Sequence, residues 1–94
     1  MDTNFEWDPE KEKKNIETHK IDFSMAARVF EDPDYIEIYD AEHSDTEDRY
    51  IALGVVGEVL FVVFTERKQN IRLISARLAT KAERELYYER NSLL

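Results

Sequence analysis

The sequence has no cysteine, two glycines, two prolines, one tryptophan and two histidines in 94 residues. The missing cysteine excludes a disulfide scaffold, a thiolate metal site and a cysteine nucleophile, and it fits a reducing compartment. Two glycines are too few for a glycine loop that cradles phosphate. There is no G-x-G-x-x-G, no P-loop and no G-x-S-x-G. His19 and His43 lie far apart, without the paired spacing of a zinc site, so neither metal nor cofactor is expected. A small-molecule enzyme has little support. No apolar run approaches the ~20 residues of a membrane span, and "MDTNFEWDPE" does not read as a signal peptide. The expectation is a cytoplasmic protein with no membrane contact.

What is present is charge and apolar alternation. The chain is 43% hydrophobic and 36% charged, which is a globular composition, and its formal net charge is −8. That balance by itself argues against nucleic acid. The charge is uneven, however. From residue 66 onward seven Lys and Arg face four Asp and Glu, while the preceding segment has six against seventeen. An acidic body and a basic end imply two different surfaces. The length fits one domain, residues 1–94, whose elements must share one core.

"FEW" (5–7) reads as a short strand. Asp8-Pro9 opens a mostly charged helix over about 9–19, with Ile16 as its main apolar contact and His19 on the same face. "DFSMAARVFEDP" is a second helix, capped by Asp22, with Phe23, Ala26, Ala27 and Phe30 as its stripe, ended at Asp32-Pro33. Four strands follow: "YIEIYD", "RYIALGVV" over 49–56, "EVLFVVFT" over 58–65 and "NIRLISAR" from 70. Gly57 and the polar "ERKQ" supply tight turns, so these strands are antiparallel neighbours. The third is apolar on both faces and belongs in the centre. Thr80 and Glu83 form a capping box for a last helix, packed through Ala79, Ala82, Leu86 and Leu93. Its tail, 89–94, is expected to fray or to dock on a partner. The order is β-α-α-β-β-β-β-α, an α+β fold with an antiparallel sheet and helices packed on one face.

The acidic loop "DAEHSDTED" lacks the spacing of a calcium loop and reads as a solvated turn. The arginines of the last strand are harder to place. In a regular strand Ile71, Leu73, Ser75 and Arg77 point one way, and Arg72, Ile74 and Ala76 the other, so Arg72 and Arg77 cannot grip one phosphate. An ion pair, with Glu37 as a candidate partner, is the plain structural alternative for Arg72.

Several segments together carry a likeness: "FEWDPEKEKKNIETHKIDFSMAARVFEDP", "DAEHSDTEDRYIALGVVGEVLFVVFTER" and "IRLISARLATKAERELY". Their shared pieces are F-x-W-D-P-x-K, H-x-I-x-F, His43-Ser44, T-x-R and I-S-A-R-x-A-T-x-x-E-R, in order. Over roughly residues 4–88 the chain resembles the BrnT family of bacterial toxins. The family's usual Lys-His-Gly triplet reads Thr18-His19-Lys20 here, with a lysine where glycine would close the first helix.

The resemblance implies a RelE-like fold and a ribonuclease toxin of a type II toxin–antitoxin module, cleaving RNA to inhibit translation. It implies neutralisation by a BrnA-like ribbon–helix–helix antitoxin in a 2:2 heterotetramer that reaches DNA only through the antitoxin. Metal-independent endoribonuclease chemistry needs a base for the 2′-OH, cations for the phosphorane and an acid for the 5′-oxygen. Arg67 and Arg77 match family positions and are the first candidates for phosphate stabilisation. His19 and His43 are the acid–base candidates, because imidazole titrates near neutrality. Arg49, Arg72 and Lys20 are candidate RNA contacts, with Glu47 and Glu66 as alternative bases. The competing expectation is a non-catalytic, toxin-like module that scaffolds a DNA-binding antitoxin and modulates promoter repression.

Overall fold

The computed structural model describes residues 4–92 and follows the expected order of elements. Strand β1 (Phe5–Trp7) leads into helix α1 (Pro9–His19) through Asp8, whose carboxylate accepts the Glu10 amide at 2.9 Å. Pro9 occupies the first helical turn, where no amide donor is needed. The helix closes on Lys20, which is left-handed (φ 61°) and donates its amide to the Ile16 carbonyl at 2.9 Å. Lysine thus stands where glycine sits without strain. Helix α2 (Phe23–Ala27) is capped by Asp22, which accepts the Met25 amide at 2.7 Å, and tightens into a 3-10 turn over Arg28–Glu31 ahead of Pro33.

Strands β2 (Ile36–Tyr39), β3 (Tyr50–Val56), β4 (Glu58–Arg67) and β5 (Asn70–Leu78) precede helix α3 (Lys81–Ser92). Gly57 turns β3 into β4 with φ 75°, and Lys68 and Gln69 turn β4 into β5 with φ 48° and 72°. The capping box forms as read: Thr80 Oγ1 accepts the Glu83 amide at 3.2 Å, and Glu83 accepts the Thr80 amide at 2.8 Å. The tail expected to fray is helical through Ser92; Leu93 lies outside the described residues.

The sheet runs β1-β5-β4-β3-β2, with β4 in the centre as expected. Neighbours among β2 to β5 are antiparallel, whereas β1 joins β5 in parallel, so the sheet is mixed rather than purely antiparallel. Alternate residues define its two faces. Ala52, Leu60, Val62, Phe64 and Ala76 pack against Ile21, Phe23, Ala26 and Val29. Gly54 lies on this face, where a Cβ would meet Val29 Cγ1 at 2.7 Å; the 3-10 turn rests directly on β3. Leu53 and Val59 point the opposite way and pack against Ala79, Tyr87 and Leu86.

Helix α3 therefore covers the second face, which corrects the expectation of helices on one face only. The physical reason is the two-sided apolar character of β3 and β4, which leaves a second hydrophobic surface to bury. Tyr87, absent from the expected packed side, is its buried anchor. Its hydroxyl donates to Asp32, which also accepts the Val55 amide at 2.8 Å, so α3 is tied to the rim of β3. Burial together with Asp32 pushes the Tyr87 phenol well above its ordinary range. The Asp32 carboxyl is held below its own: burial raises it, but hydrogen bonds from Tyr87, Val55 and Asp34 outweigh burial.

Strand β5 is irregular. Its register against β4 shifts between Val63 and Phe64: Val63 faces Ser75 and Phe64 faces Leu73, leaving Ile74 as a bulge. The extra residue flips the strand's alternation. Arg72 then lies opposite Thr65 and Arg77 opposite Phe61, so both arginines share the second face, against the expectation for a regular strand. They stand about 15 Å apart along the strand and still cannot grip one phosphate.

Beyond β1, the edge of β5 is completed by a side chain. Asn15 of α1, 6% exposed, accepts the Ala76 amide at 3.0 Å and donates to the Ile21 carbonyl at 2.9 Å. Ile16, expected as the helix's apolar contact, is 42% exposed. Helix α1 docks through the buried Asn15 amide and the half-buried Glu12 carboxylate, which accepts from the Phe23 amide at 2.8 Å and from Trp7 Nε1 at 3.2 Å, not through a hydrophobic stripe.

Candidate functional site

The loop between β2 and β3 is tied at its base. The Asp40 amide donates to the Arg49 carbonyl at 2.8 Å. Ser44 Oγ donates to the Asp40 carbonyl at 2.6 Å and accepts the Arg49 amide at 2.9 Å. Thr65 Oγ1, buried in β4, donates to the Asp48 carbonyl at 2.6 Å. The acidic tip stays exposed, as a solvated turn should, but the zipped base fixes where His43 and Arg49 begin. The short 3-10 turn Ala41–His43 brings His43 Nδ1 to 3.0 and 3.2 Å from the two carboxylate oxygens of Asp40. Asp40 is 13% exposed and His43 61%. A carboxylate on Nδ1 holds a proton there, so that in the neutral ring Nε2 is the acceptor.

His43, Asp40 and Arg49 form one wall of a groove of about 290 Å³ on the second face of the sheet. Arg77 forms the other wall, and Phe61, Val63, Ile74 and Ser75 lie between them. Among the described residues the Arg49 guanidinium has no ion-pair partner. It is the half-buried cation of this groove with its charge uncommitted.

Arg77 is held on three sides. Glu83 accepts from Nη1 at 2.8 Å and Nη2 at 3.0 Å, the Leu78 carbonyl accepts from Nη1 at 3.1 Å, and the Phe61 ring lies 3.8 Å beneath the guanidinium carbon. These hydrogen bonds hold the Glu83 carboxyl below its ordinary range, against its partial burial. A guanidinium has five N–H donors in a planar fork. Glu83 takes the end-on pair, which leaves Nε–H and one Nη2–H as a second fork for an oxyanion.

The sequence profile of the BrnT family, described as the ribonuclease toxin of a type II toxin–antitoxin system, matches residues 7–83. The chain belongs to that family. The crystal structure of the Brucella abortus ribonuclease toxin BrnT, at 1.1 Å resolution, shares the fold with a TM-score of 0.64 and 23% identity. The likeness covers 85% of this chain and 100% of that one. No curated protein matches this chain in sequence. The BrnT match includes every residue of the groove, and it ends on Glu83, the partner of Arg77. Membership in BrnT implies an antitoxin partner.

The remaining residues that the BrnT likeness singled out are scattered. Arg67 pairs with Glu47 at 3.4 Å near the β4–β5 turn and borders a separate groove with Glu6, Lys68 and Asn70. Glu47 does not line the groove of His43. Arg72 pairs with Glu6 at 2.7 Å, not with Glu37, and Asn70 adds a bond to Glu6 at 3.3 Å. Those two partners lower the Glu6 carboxyl below its ordinary range. Glu66 lies in register with Ile71, on the face opposite the groove. Lys20 closes α1, and its ammonium donates to the Glu17 carbonyl at 3.2 Å. His19 lines a neighbouring groove that shares only Ile74 and Ser75 with that of His43.

Sequence reasoning missed Asp40, Glu83 as the partner of Arg77, and the bulge. Asp40 was detectable, because it precedes His43 by a helical-turn spacing. The bulge had no local signal, since Ile74 and Ser75 are ordinary strand residues.

Proposed function

We propose that this chain is a metal-independent endoribonuclease that cuts RNA in the cytoplasm and so inhibits translation. The observation that carries the proposal is the convergence of an Asp40-held His43, Arg49 and Arg77 on one open groove. His43 Nε2 takes the proton from a 2′-OH, and the freed oxygen attacks the adjacent phosphorus. Arg49 and the second fork of Arg77 carry the charge that builds on the non-bridging oxygens. The P–O5′ bond breaks, and the leaving oxygen takes a proton from solvent, to which the groove is open. The products are a 2′,3′-cyclic phosphate and a 5′-hydroxyl. Asp40 stabilises the imidazolium formed on the way. Arg67 and Arg72 do not line the His43 groove and stand outside the chemistry.

The antitoxin is of the BrnA-like ribbon–helix–helix type, joined in a 2:2 complex that contacts DNA through the antitoxin alone. The net charge of −8 suits a basic partner and disfavours free RNA. That charge is the one observation favouring the second reading, a non-catalytic scaffold that tunes repression by the antitoxin.

One experiment separates the two readings. Purified wild type, His43→Ala and Arg49→Ala are incubated with single-stranded RNA in EDTA. Cleavage by the wild type, reduced about 10²–10³-fold by Arg49→Ala and at least as far by His43→Ala, supports the ribonuclease. Intact RNA with the wild type leaves the scaffold.

A further inference from the structure

Helix α1 presents an unusual face to the sheet. Its stripe at i, i+3, i+4, i+7 and i+8 is Lys11, Lys14, Asn15, Thr18 and His19, where an amphipathic helix normally places apolar residues. Asn15 alone is buried. The others border a groove of about 300 Å³ closed on its far side by Ile74 and Ser75. Between this face and β5 lies an open groove bordered by two lysines.

Its charge is one-sided. In a protein of net charge −8, Lys11 and Lys14 line this groove and no carboxylate does. By contrast, Glu6 lines the groove beside Arg67, and Glu31 and Asp32 line the one beside Arg28. Among the described residues neither Lys11 nor Lys14 is ion-paired. Unpaired ammonium groups around a shallow channel are suited to phosphate oxygens, as point charges that tolerate variable backbone geometry. The channel also adjoins the candidate site. Ile74 and Ser75 line both this groove and the one holding His43, so the bulge is the wall they share.

We infer that the α1 groove is a second subsite for the same substrate. It binds the phosphodiesters of single-stranded RNA that flank the bond held at His43, with Lys11 and Lys14 as its contacts. The inference rests on the ribonuclease reading above and adds to it the direction of the strand, across the bulge of β5 toward α1. A dinucleotide fills the His43 groove alone; a longer strand fills both.

The test is the double variant Lys11→Gln/Lys14→Gln, at two exposed positions. Cleavage kinetics are compared on a dinucleotide and on an oligomer of about a dozen nucleotides. Binding of the same oligomer, made uncleavable by 2′-O-methylation, is followed against salt. Two lost phosphate contacts lower the salt slope by about 1.4, so raising salt fourfold weakens wild-type binding about sevenfold more than variant binding. The oligomer KM rises by about tenfold at low salt, while kcat on the dinucleotide stays within about twofold. A cleaving wild type whose oligomer KM and salt slope survive the double change overturns the subsite and leaves the ribonuclease reading intact. A wild type that shows the slope difference yet cuts nothing overturns the ribonuclease reading and keeps the groove as an RNA site. An oligomer that does not bind the wild type overturns the subsite.

Discussion

Replacing Glu83 with alanine removes the group that holds Arg77. Its carboxylate takes two guanidinium hydrogens at 2.8 and 3.0 Å and the Thr80 amide at 2.8 Å. The two side chains of the pair are 34% and 23% exposed, so solvent screening limits the ion pair to about 0.5–1 kcal/mol. The Glu83 half of the cap, which accepts the Thr80 amide, contributes about 1 kcal/mol more, while the residue-83 amide keeps its bond to Thr80. Together the loss is about 1.5–2 kcal/mol, which at about 4–8 °C per kcal/mol lowers the melting midpoint by roughly 10 °C. Glu83→Gln keeps an oxygen for the Thr80 amide and gives up only the charge, so it loses about half as much.

Activity is the separate readout for Glu83. Arg77 stripped of its anchor no longer presents its second fork in a fixed direction. The kcat for RNA falls about tenfold in Glu83→Ala and less in Glu83→Gln, with KM nearly constant. Thermal melts by circular dichroism give the stability, and initial rates well below the lower midpoint give the activity. Faster cleavage by Glu83→Ala would show that Glu83 is a brake on Arg77 and not its support. An unchanged kcat would remove the supporting role equally.

Asn15→Ala strips two buried backbone groups, the Ala76 amide and the Ile21 carbonyl, of their partners; urea titration should show a loss of about 2–4 kcal/mol. Lys20→Gly relieves the left-handed cap at φ 61° and should raise stability by about 0.5–1 kcal/mol in the same assay. The pH profile depends on two sets of groups. Glu83, Glu6 and Asp32 have depressed carboxyls, so the stability they supply is present above about pH 4.5 and is lost as pH falls through their folded values. Tyr87, Tyr35 and Tyr50 are raised, chiefly by burial, so their contribution is complete below about pH 10 and is lost as pH rises further. Melting midpoints across pH should form a plateau between these limits, and a midpoint that climbs below about pH 4 contradicts the assignment.

The local signals in the sequence were strong where backbone chemistry dictates them. Asp8-Pro9, Asp22, Gly57 and the Thr80–Glu83 box placed their element boundaries because each supplies a cap or a φ that few residues provide. The run from Glu58 to Thr65 marked the central strand, but the expectation of helices on one face overlooked the second surface that its two-sided apolar pattern has to bury. What covered that face depended on Tyr87 reaching Asp32, a contact between residues remote in sequence.

The arginines mark the boundary of what could be read. Their position in the last strand was visible, but their facing depended on one extra residue in β5, and a bulge leaves no compositional trace. Asn15 was hidden for another reason. It stands at a helix position where a hydrophobic contact is the ordinary expectation, and its partner Ala76 belongs to a strand edge that no local pattern identifies.

The chemistry of the cut ends bears most directly on the proposed mechanism. RNA is digested in EDTA and the new termini are identified, alongside an oligomer carrying a single 2′-deoxynucleotide at the cleaved position. Attack by the 2′-oxygen leaves 2′,3′-cyclic phosphate and 5′-hydroxyl ends, with the deoxy position uncut. Termini of the 3′-hydroxyl and 5′-phosphate kind, or cutting at the deoxy position, would contradict a mechanism built on His43, Arg49 and Arg77.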